Sequence, residues 1–307
     1  MDEHFRKYHA LGNDYLVVDP GLLPFSPLPD AVRMICERTT GAGSDGILLG
    51  PLPPYSESEG FGLRIFNPDG SEAEKSGNGL RIFSLYLAEA GYVSPGRRFF
   101  VRTAGGTVAS VVESLAPPSI LVDMGEPSFE LPAGASGAAE AIPQPRELIQ
   151  RELDLGGERL IATFVSMGNP HCVIFVDEPE PELARRLGPI VEHHPLFPNR
   201  TNVQFAKVLD PHRMRIEIWE RGAGYTLASG SSSCAAAAAA RRLGLVAGRV
   251  VVQMPGGELS LDLSSPSITM RGPAVQVYRA AFSPALLARL AELGALGPEA
   301  AERGKGV

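Results

Sequence analysis

The chain is poor in cysteine. Cys36, Cys172 and Cys234 are the only three in 307 residues, an odd and sparse set that argues against a disulfide framework and suits a reducing cytoplasm. Lysine is nearly as rare: Lys7, Lys75, Lys207 and Lys305 are the whole set, and none sits in a recognisable cofactor-binding loop. That argues against a pyridoxal-phosphate enzyme, and no cofactor is expected. No Lys/Arg-rich run occurs, the net charge is −7 and 21% of residues are charged, so neither nucleic acid nor an acidic membrane surface is expected as a partner. No apolar run reaches the roughly 18 residues of a membrane span. The opening Asp2-Glu-His-Phe-Arg-Lys7 has none of the apolar character of a secretion signal. His4, His9, His193 and His194 have no Cys, Asp or Glu at ligand spacing, so no metal is expected. The phosphate-loop pattern is missing, as is the Gly-x-Ser-x-Gly elbow of a serine hydrolase; Gly41-Ala-Gly-Ser-Asp-Gly46 has dinucleotide-type glycine spacing but precedes a strand and does not open a helix, so it is weak evidence for phosphate binding.

What the chain does contain is one device used twice. Arg215 to Trp219 alternates like a strand, the glycines of Glu220-Arg-Gly-Ala-Gly224 make a turn, and Ser229-Gly-Ser-Ser-Ser233 opens a helix that runs into Ala235 to Ala240. A helix start offers unpaired backbone N–H groups and partial positive charge, and small residues let an anion approach them. The alanine face suits a helix packed at short range in the centre of a domain. The same order occurs earlier: strand Leu63 to Phe66, turn Asn67-Pro-Asp-Gly70, and Ser76-Gly-Asn-Gly79 opening a helix. Asn67 and Glu220 are 153 positions apart, as are Ser76 and Ser229, while Gly12-Asn-Asp14 and Gly168-Asn-Pro170 lie 156 apart. A period of half the chain length argues duplication of one fold.

The intervening segments fill out two copies. Phe5 to Asp19 reads as two strands about a Leu11-to-Asp14 turn, where Asn13 is good turn chemistry. Pro27 to Arg38 reads as a helix, Gly41 to Gly46 as a glycine-rich loop before strand Ile47-Leu-Leu, and Pro51 to Gly60 as an exposed hairpin loop. Phe99 to Val112 is a hairpin turning at Gly105-Gly106, and Ile120 to Met124 a strand. The Pro/Ala/Gly-rich composition from about Ser114 to Glu147 marks a crossing between domains. The second copy follows: strand Leu160 to Val165, turn Ser166 to His171, strand Cys172 to Val176, helix Glu180 to Leu187 and strand Val203 to Val208. Closing hairpins occupy Arg249 to Met254, Glu258 to Leu263 and Ser267 to Arg271, and the last strand, Ala274 to Phe282, would cross back to the first domain. Pro284 to Leu296 reads as a terminal helix and Gly297 to Val307 as a loose tail. The expected fold class is α/β (α+β) in two pseudo-symmetric domains. One comprises residues 1–122 plus about 273–283 and the other 123–272, with 284–307 as helix and tail.

Six stretches carry a family resemblance: Lys7-Tyr-His-Ala-Leu-Gly-Asn-Asp14, Phe66-Asn-Pro-Asp-Gly-Ser-Glu-Ala-Glu74, Ser76-Gly-Asn-Gly-Leu-Arg81, Gly168-Asn-Pro-His-Cys172, Arg200-Thr-Asn-Val203, and Glu220-Arg-Gly-Ala-Gly224 through Ala228. In this order, over nearly the whole chain, they closely resemble the diaminopimelate epimerases. The resemblance implies two domains, each a curled sheet around a central helix, with the active site in the cleft between them. It implies cofactor-free epimerisation at Cα of a small amino acid by two acid/base groups on opposite faces, in the cytoplasm, and a possible homodimer. Asn13, Asn67, Gly77, Asn78, Asn169, Asn202, Glu220, Arg221, Gly230 and Ser231 match the substrate frame, with Arg221 as a clamp for a carboxylate.

The departures sit at the centre of the family pattern. Both acid/base positions, cysteine in the family, are here Ser76 and Ser229. A thiol titrates near ~8.5 and is readily tuned toward thiolate by a helix start, whereas a serine hydroxyl needs an adjacent base. By the resemblance His171 lies near the Ser76 position and Glu220 near Ser229, which makes both catalytic candidates. Tyr225, Gly46 and Ser232 stand where the family usually has Glu, Gln and Gly. Tyr225 is either a phenol in the site or an outward aromatic, and Cys234 reads as a helix-packing residue. Three readings of the serines stay open: an inactivated epimerase, a branch with altered chemistry or another amino acid as substrate, and a non-catalytic amino-acid-binding protein.

Overall fold

The computed structural model describes residues 3–131 and 147–296. The middle of the expected crossing, 132–146, and the expected tail, 297–307, lie outside the described residues. The chain divides into two compact units, Met1–Val122 with Pro273–Val307, and Asp123–Gly272.

In the first unit, β1 (Phe5–Ala10) and β2 (Asn13–Val18) form a tight antiparallel hairpin. Its two-residue turn is Leu11-Gly12, both at positive φ (56° and 92°), as such primed turns require. Asn13 is therefore a strand residue, not the turn residue its chemistry suggested. Helix α1 (Pro29–Cys36) leads to β3 (Ile47–Ser56), which runs parallel to β2 and antiparallel to β4 (Gly60–Phe66). The expected loop at Pro51 is thus mostly strand. Its register slips between Leu49 and Leu52 and again between Leu52 and Tyr55, so the prolines, which have no N–H for a ladder, fall at the irregular positions. The small strand β5 (Glu72–Ala73) pairs with β4, and α2 (Gly77–Glu89) follows. Strands β6 (Arg98–Thr103), β7 (Gly106–Leu115) and β8 (Pro118–Gly125) continue the sheet: β6 parallel to β4, then two antiparallel steps. Leu80, Ile82, Phe83, Leu85, Tyr86 and Leu87 bury α2 on every side.

The second unit repeats this pairing order strand for strand. It starts with β9 (Arg151–Asp154), β10 (Arg159–Ser166) and β11 (Pro170–Phe175), then α3 (Pro181–Glu192), β12 (Asn202–Asp210) and β13 (Arg213–Glu220). The hairpin β10–β11 matches β1–β2, the parallel pair β11–β12 matches β2–β3, and the antiparallel pair β12–β13 matches β3–β4. Then come β14 (Gly224–Thr226), α4 (Gly230–Arg242), β15 (Arg249–Met254), β16 (Gly257–Asp262) and β17 (Ile268–Gly272), with β13–β15 parallel as in β4–β6. Here the central helix is buried by its alanines, Ala235 to Ala240.

Helix α3 extends past its expected end, with Gly188 inside it packed against Trp219, where an added Cβ would lie 2.4 Å from the indole Cγ. The chain returns to the first unit through β18 (Val275–Ala280), antiparallel to β1, and α5 (Pro284–Glu292). The result is a mixed α+β fold built twice. Among the described residues no helix is long and apolar enough to cross a membrane.

Candidate active site

Each unit presents the start of its central helix, and the two starts are built alike. Ser76 caps α2 with φ −137° and ψ 119°, and Ser229 caps α4 with φ −145° and ψ 123°. Ser76 Oγ accepts from the Gly79 amide at 3.0 Å, and Ser229 Oγ from the Ser232 amide at 3.4 Å. A hydroxyl in this position satisfies one of the helix's orphan donors and stabilises it by about 1 kcal/mol.

Around Ser76 the first unit assembles a chain of amides. Asn13 donates to Asp45 Oδ2 at 2.9 Å, Asn78 donates to Asn13 Oδ1 at 3.0 Å, and Arg81 donates to Asn78 Oδ1 at 2.8 Å. Asp45 belongs to the glycine-rich loop, which Arg38 ties to Asp14 and Asp45 at 2.8 and 2.6 Å, with Lys7 on Asp14 at 2.7 Å. Burial raises the Asp14 carboxyl, yet Arg38 and Lys7 outweigh it and hold the group below its usual range. The loop is therefore an ion-paired brace for Asn13. Gly77 and Asn78 are buried in the first turn of α2. Asn67 lies on the turn after β4, where it donates to Ser71 Oγ at 2.9 Å.

Arg81 was not singled out from the sequence. Its side chain is fully buried and also donates to the carbonyls of Gly77 and Pro273, which puts a guanidinium beneath the helix start. Its one sequence signal is a charge set among the apolar residues of Leu80 to Leu87.

In the second unit, Asn169, His171, Asn202 and Arg221 come together. The Gln204 side-chain amide donates to His171 Nδ1 at 3.1 Å, so Nε2 carries the ring hydrogen and donates to Asn169 Oδ1 at 2.9 Å. The same Gln204 nitrogen donates to Ser232 Oγ at 3.0 Å. A buried relay thus links Asn169 to the start of α4, and the Ser232 departure supplies its last hydroxyl. Asn202 donates to the Pro170 carbonyl at 2.8 Å and accepts from the Arg221 amide at 3.0 Å.

The Arg221 turn is seated on the buried Glu192, which accepts from Trp219 Nε1 at 2.7 Å and from the Gly222 amide at 3.0 Å. Glu220 ends β13 opposite Gly224. Gly230 and Ser231 are the first residues of α4. Gln204 and Glu192 went unnoticed in the sequence, although Gln204 does stand between the apolar Val203 and Phe205 of β12.

Burial, reinforced by the positive charge of Arg221, pulls the His171 imidazole down to about 3. The ring is neutral with both nitrogens engaged, which suits positioning of Asn169 rather than the accessible base expected from sequence. Tyr225 donates to Glu217 Oε2 at 2.7 Å under the Arg185 guanidinium, 4.0 Å from the ring centroid. Burial pushes its phenol up to about 12, and the ring packs against the apolar core of its own unit. Cys234 is wholly buried in α4. The Cys172 thiol is also wholly buried, and burial raises its pKa.

Solved structures with this fold include proteins described as racemases and epimerases. One described as a probable proline racemase from Agrobacterium radiobacter K84 superposes with a TM-score of 0.67 at 15% identity, covering 91% of this chain and 92% of that one. A hydroxyproline epimerase from Agrobacterium vitis superposes at 0.64, also at 15% identity, covering 90% and 91%. These likenesses define the fold class. Sequence comparison is more specific: the family model for diaminopimelate epimerase matches residues 5–130 and 163–277. Diaminopimelate epimerase 2 of Nostoc sp. is 50% identical over 259 residues, 84% of this chain and 88% of that protein. The diaminopimelate epimerase of Moorella thermoacetica is 40% identical over 292 residues, 91% and 99% of the two chains. The chain belongs to the diaminopimelate epimerase family, and its relatives are isomerases.

Proposed function

We propose that the chain is a cofactor-independent amino-acid epimerase with diaminopimelate as its first candidate substrate, acting in lysine and peptidoglycan precursor synthesis in the cytoplasm. The observation that carries this reading is the matched pair of helix starts, one per unit, each with a serine hydroxyl at the N-cap. Ser76 and Ser229 are the acid/base positions: one takes the Cα proton and the other returns a proton from the opposite face. The first-turn amides, including those of Gly77, Asn78, Gly230 and Ser231, offer N–H groups to the α-carboxylate, where charge grows as the carbanion forms. Asn13, Asn67, Asn169, Asn202 and Arg221 frame the distal amino and carboxylate groups, with Glu220 as base for Ser229 and His171 as the orienter of Asn169. Exposed Val275, Val277 and Tyr278 along β18 offer apolar area to a second copy, so sedimentation at increasing concentration should detect a homodimer.

A second reading, a non-catalytic amino-acid-binding protein, is favoured by the fact that both hydroxyls already serve as helix caps. Two measurements separate the readings: calorimetric titration with meso- and L,L-diaminopimelate, and loss of the Cα–H signal in heavy water. Binding with exchange supports the epimerase, binding without exchange supports the second reading, and tighter binding of a monocarboxylate amino acid refutes both as stated for diaminopimelate.

A further inference from the structure

Serine is a poor proton carrier unless a neighbour holds the proton it gives up, and the first unit supplies such a neighbour. Tyr15 Oη lies 3.4 Å from Ser76 Oγ, the oxygen that also accepts the Gly79 amide. Tyr15 sits on β2 and is only 6% exposed. Its ring is seated by Gly46, where a Cβ would fall 2.3 Å from the Phe66 carbonyl oxygen and 2.7 Å from Tyr15 Cε1. No larger residue fits at position 46 with the phenol in this place. Gly46, which stands where the family usually has Gln, and Ser76, which stands where it has cysteine, thus meet in one arrangement. At Ser229 the neighbours are different: the Ser232 amide, and the Ser233 hydroxyl on the Ser229 carbonyl at 2.8 Å.

We infer that Tyr15 and Ser76 form a phenol–hydroxyl relay that carries the substrate's Cα proton on the first unit's side. The inference rests on the epimerase reading. In the deprotonating direction the Cα–H bond breaks and its proton passes to Ser76 Oγ. The hydroxyl proton of Ser76 moves to the Tyr15 phenolate that a preceding turnover in the return direction leaves behind, and the electron pair stays on Cα, delocalised into the carboxylate. In the return direction the Tyr15 phenol refills Ser76 as Ser76 delivers its proton to Cα. A phenol is far more acidic than an aliphatic alcohol, so Tyr15 holds negative charge that Ser76 alone would not. The Gly79 N–H steadies the shared oxygen during transfer. The O···O separation is long for a settled hydroxyl pair, and catalytic bonds tighten when substrate is in place.

The test follows Cα–H exchange into heavy water with both diaminopimelate isomers. It compares wild type, Tyr15→Phe, Ser76→Ala, and protein with 3-fluorotyrosine or 3,5-difluorotyrosine at position 15. Tyr15→Phe should slow exchange about 100-fold, the lower end of general acid–base contributions, with little change in KM. The fluorinated proteins should show rates that change with phenol acidity, which a ring present only for packing would not produce. They keep the shape of the ring and decide the matter even should Tyr15→Phe fail to fold. Full exchange in a folded Tyr15→Phe protein, or rates indifferent to fluorination, overturns the relay and leaves the epimerase reading standing. Wild type that exchanges neither isomer overturns the epimerase reading, and the relay with it.

Discussion

His171→Gln should flatten the dependence of stability on pH below neutrality. In the folded protein the His171 imidazole is wholly buried, and burial together with Arg221 draws its titration from 6.5 to about 3. The unfolded chain takes up a proton as pH falls through about 6.5, while the folded ring refuses one until about pH 3. The sign is therefore fixed: the stability tied to the neutral ring is complete above the unfolded value and is lost as pH falls. The slope approaches 1.4 kcal/mol per pH unit, so roughly 3 kcal/mol is lost by about pH 4.5. Urea unfolding at several pH values between about 7.5 and 4.5 measures this as a difference in slope between wild type and variant. Carboxylates common to both proteins, Asp14 and Glu192 among them, cancel in that difference. Gln lowers absolute stability as well, but only the slope tests the argument. Equal slopes, or a ring resonance titrating near 6.5 in the folded protein, would refute the neutral, doubly bonded imidazole and restore His171 as a candidate base.

Ser76→Ala and Ser229→Ala should each cost about 1 kcal/mol through loss of a helix cap, seen as faster hydrogen exchange at the Gly79 and Ser232 amides respectively; unchanged exchange would contradict the caps. Gly188→Ala forces a Cβ to within 2.4 Å of the Trp219 ring unless the indole moves. It should destabilise by about 1–3 kcal/mol and shift the emission of Trp219, the single tryptophan. Arg221→Lys keeps the charge and loses the fork, so calorimetry should show weaker binding of diaminopimelate with less effect on amino acids that have no distal carboxylate.

The duplication was legible because both copies keep the same strand, turn and Ser-Gly helix opening at one offset, and the pairing order follows from that alone. Strand β3 beyond Leu49 was not legible, because Pro51, Pro53 and Pro54 read as breakers while the sheet accommodates them at register slips. Helix α3 likewise runs past the expected end at Leu187, and Gly188 within it packs against Trp219, a residue distant in sequence. The serines, the asparagines and Arg221 were visible as motif positions, whereas the groups that orient them were not. Gln204 reaches His171 and Ser232 across intervals of 33 and 28 residues, and Tyr15 reaches Ser76 across 61. Such contacts are set by the pairing of strands, and no local pattern announces them. Gly46 showed in the sequence only as an unexplained departure; its reason is the ring of Tyr15.

The most direct measurement is Cα–H exchange and epimerisation of diaminopimelate by the Ser76→Cys/Ser229→Cys double variant beside wild type. The helix starts, the Asn13–Asn78–Arg81 chain and the Asn169–His171 relay are already in place, so thiols at the two caps should raise the rate, while each single change should do little because both faces must act. The gain should be partial, since Tyr15 and Gly46 are arranged around a hydroxyl. A double variant that binds diaminopimelate yet neither exchanges nor epimerises it would show that the two caps are not the acid/base positions.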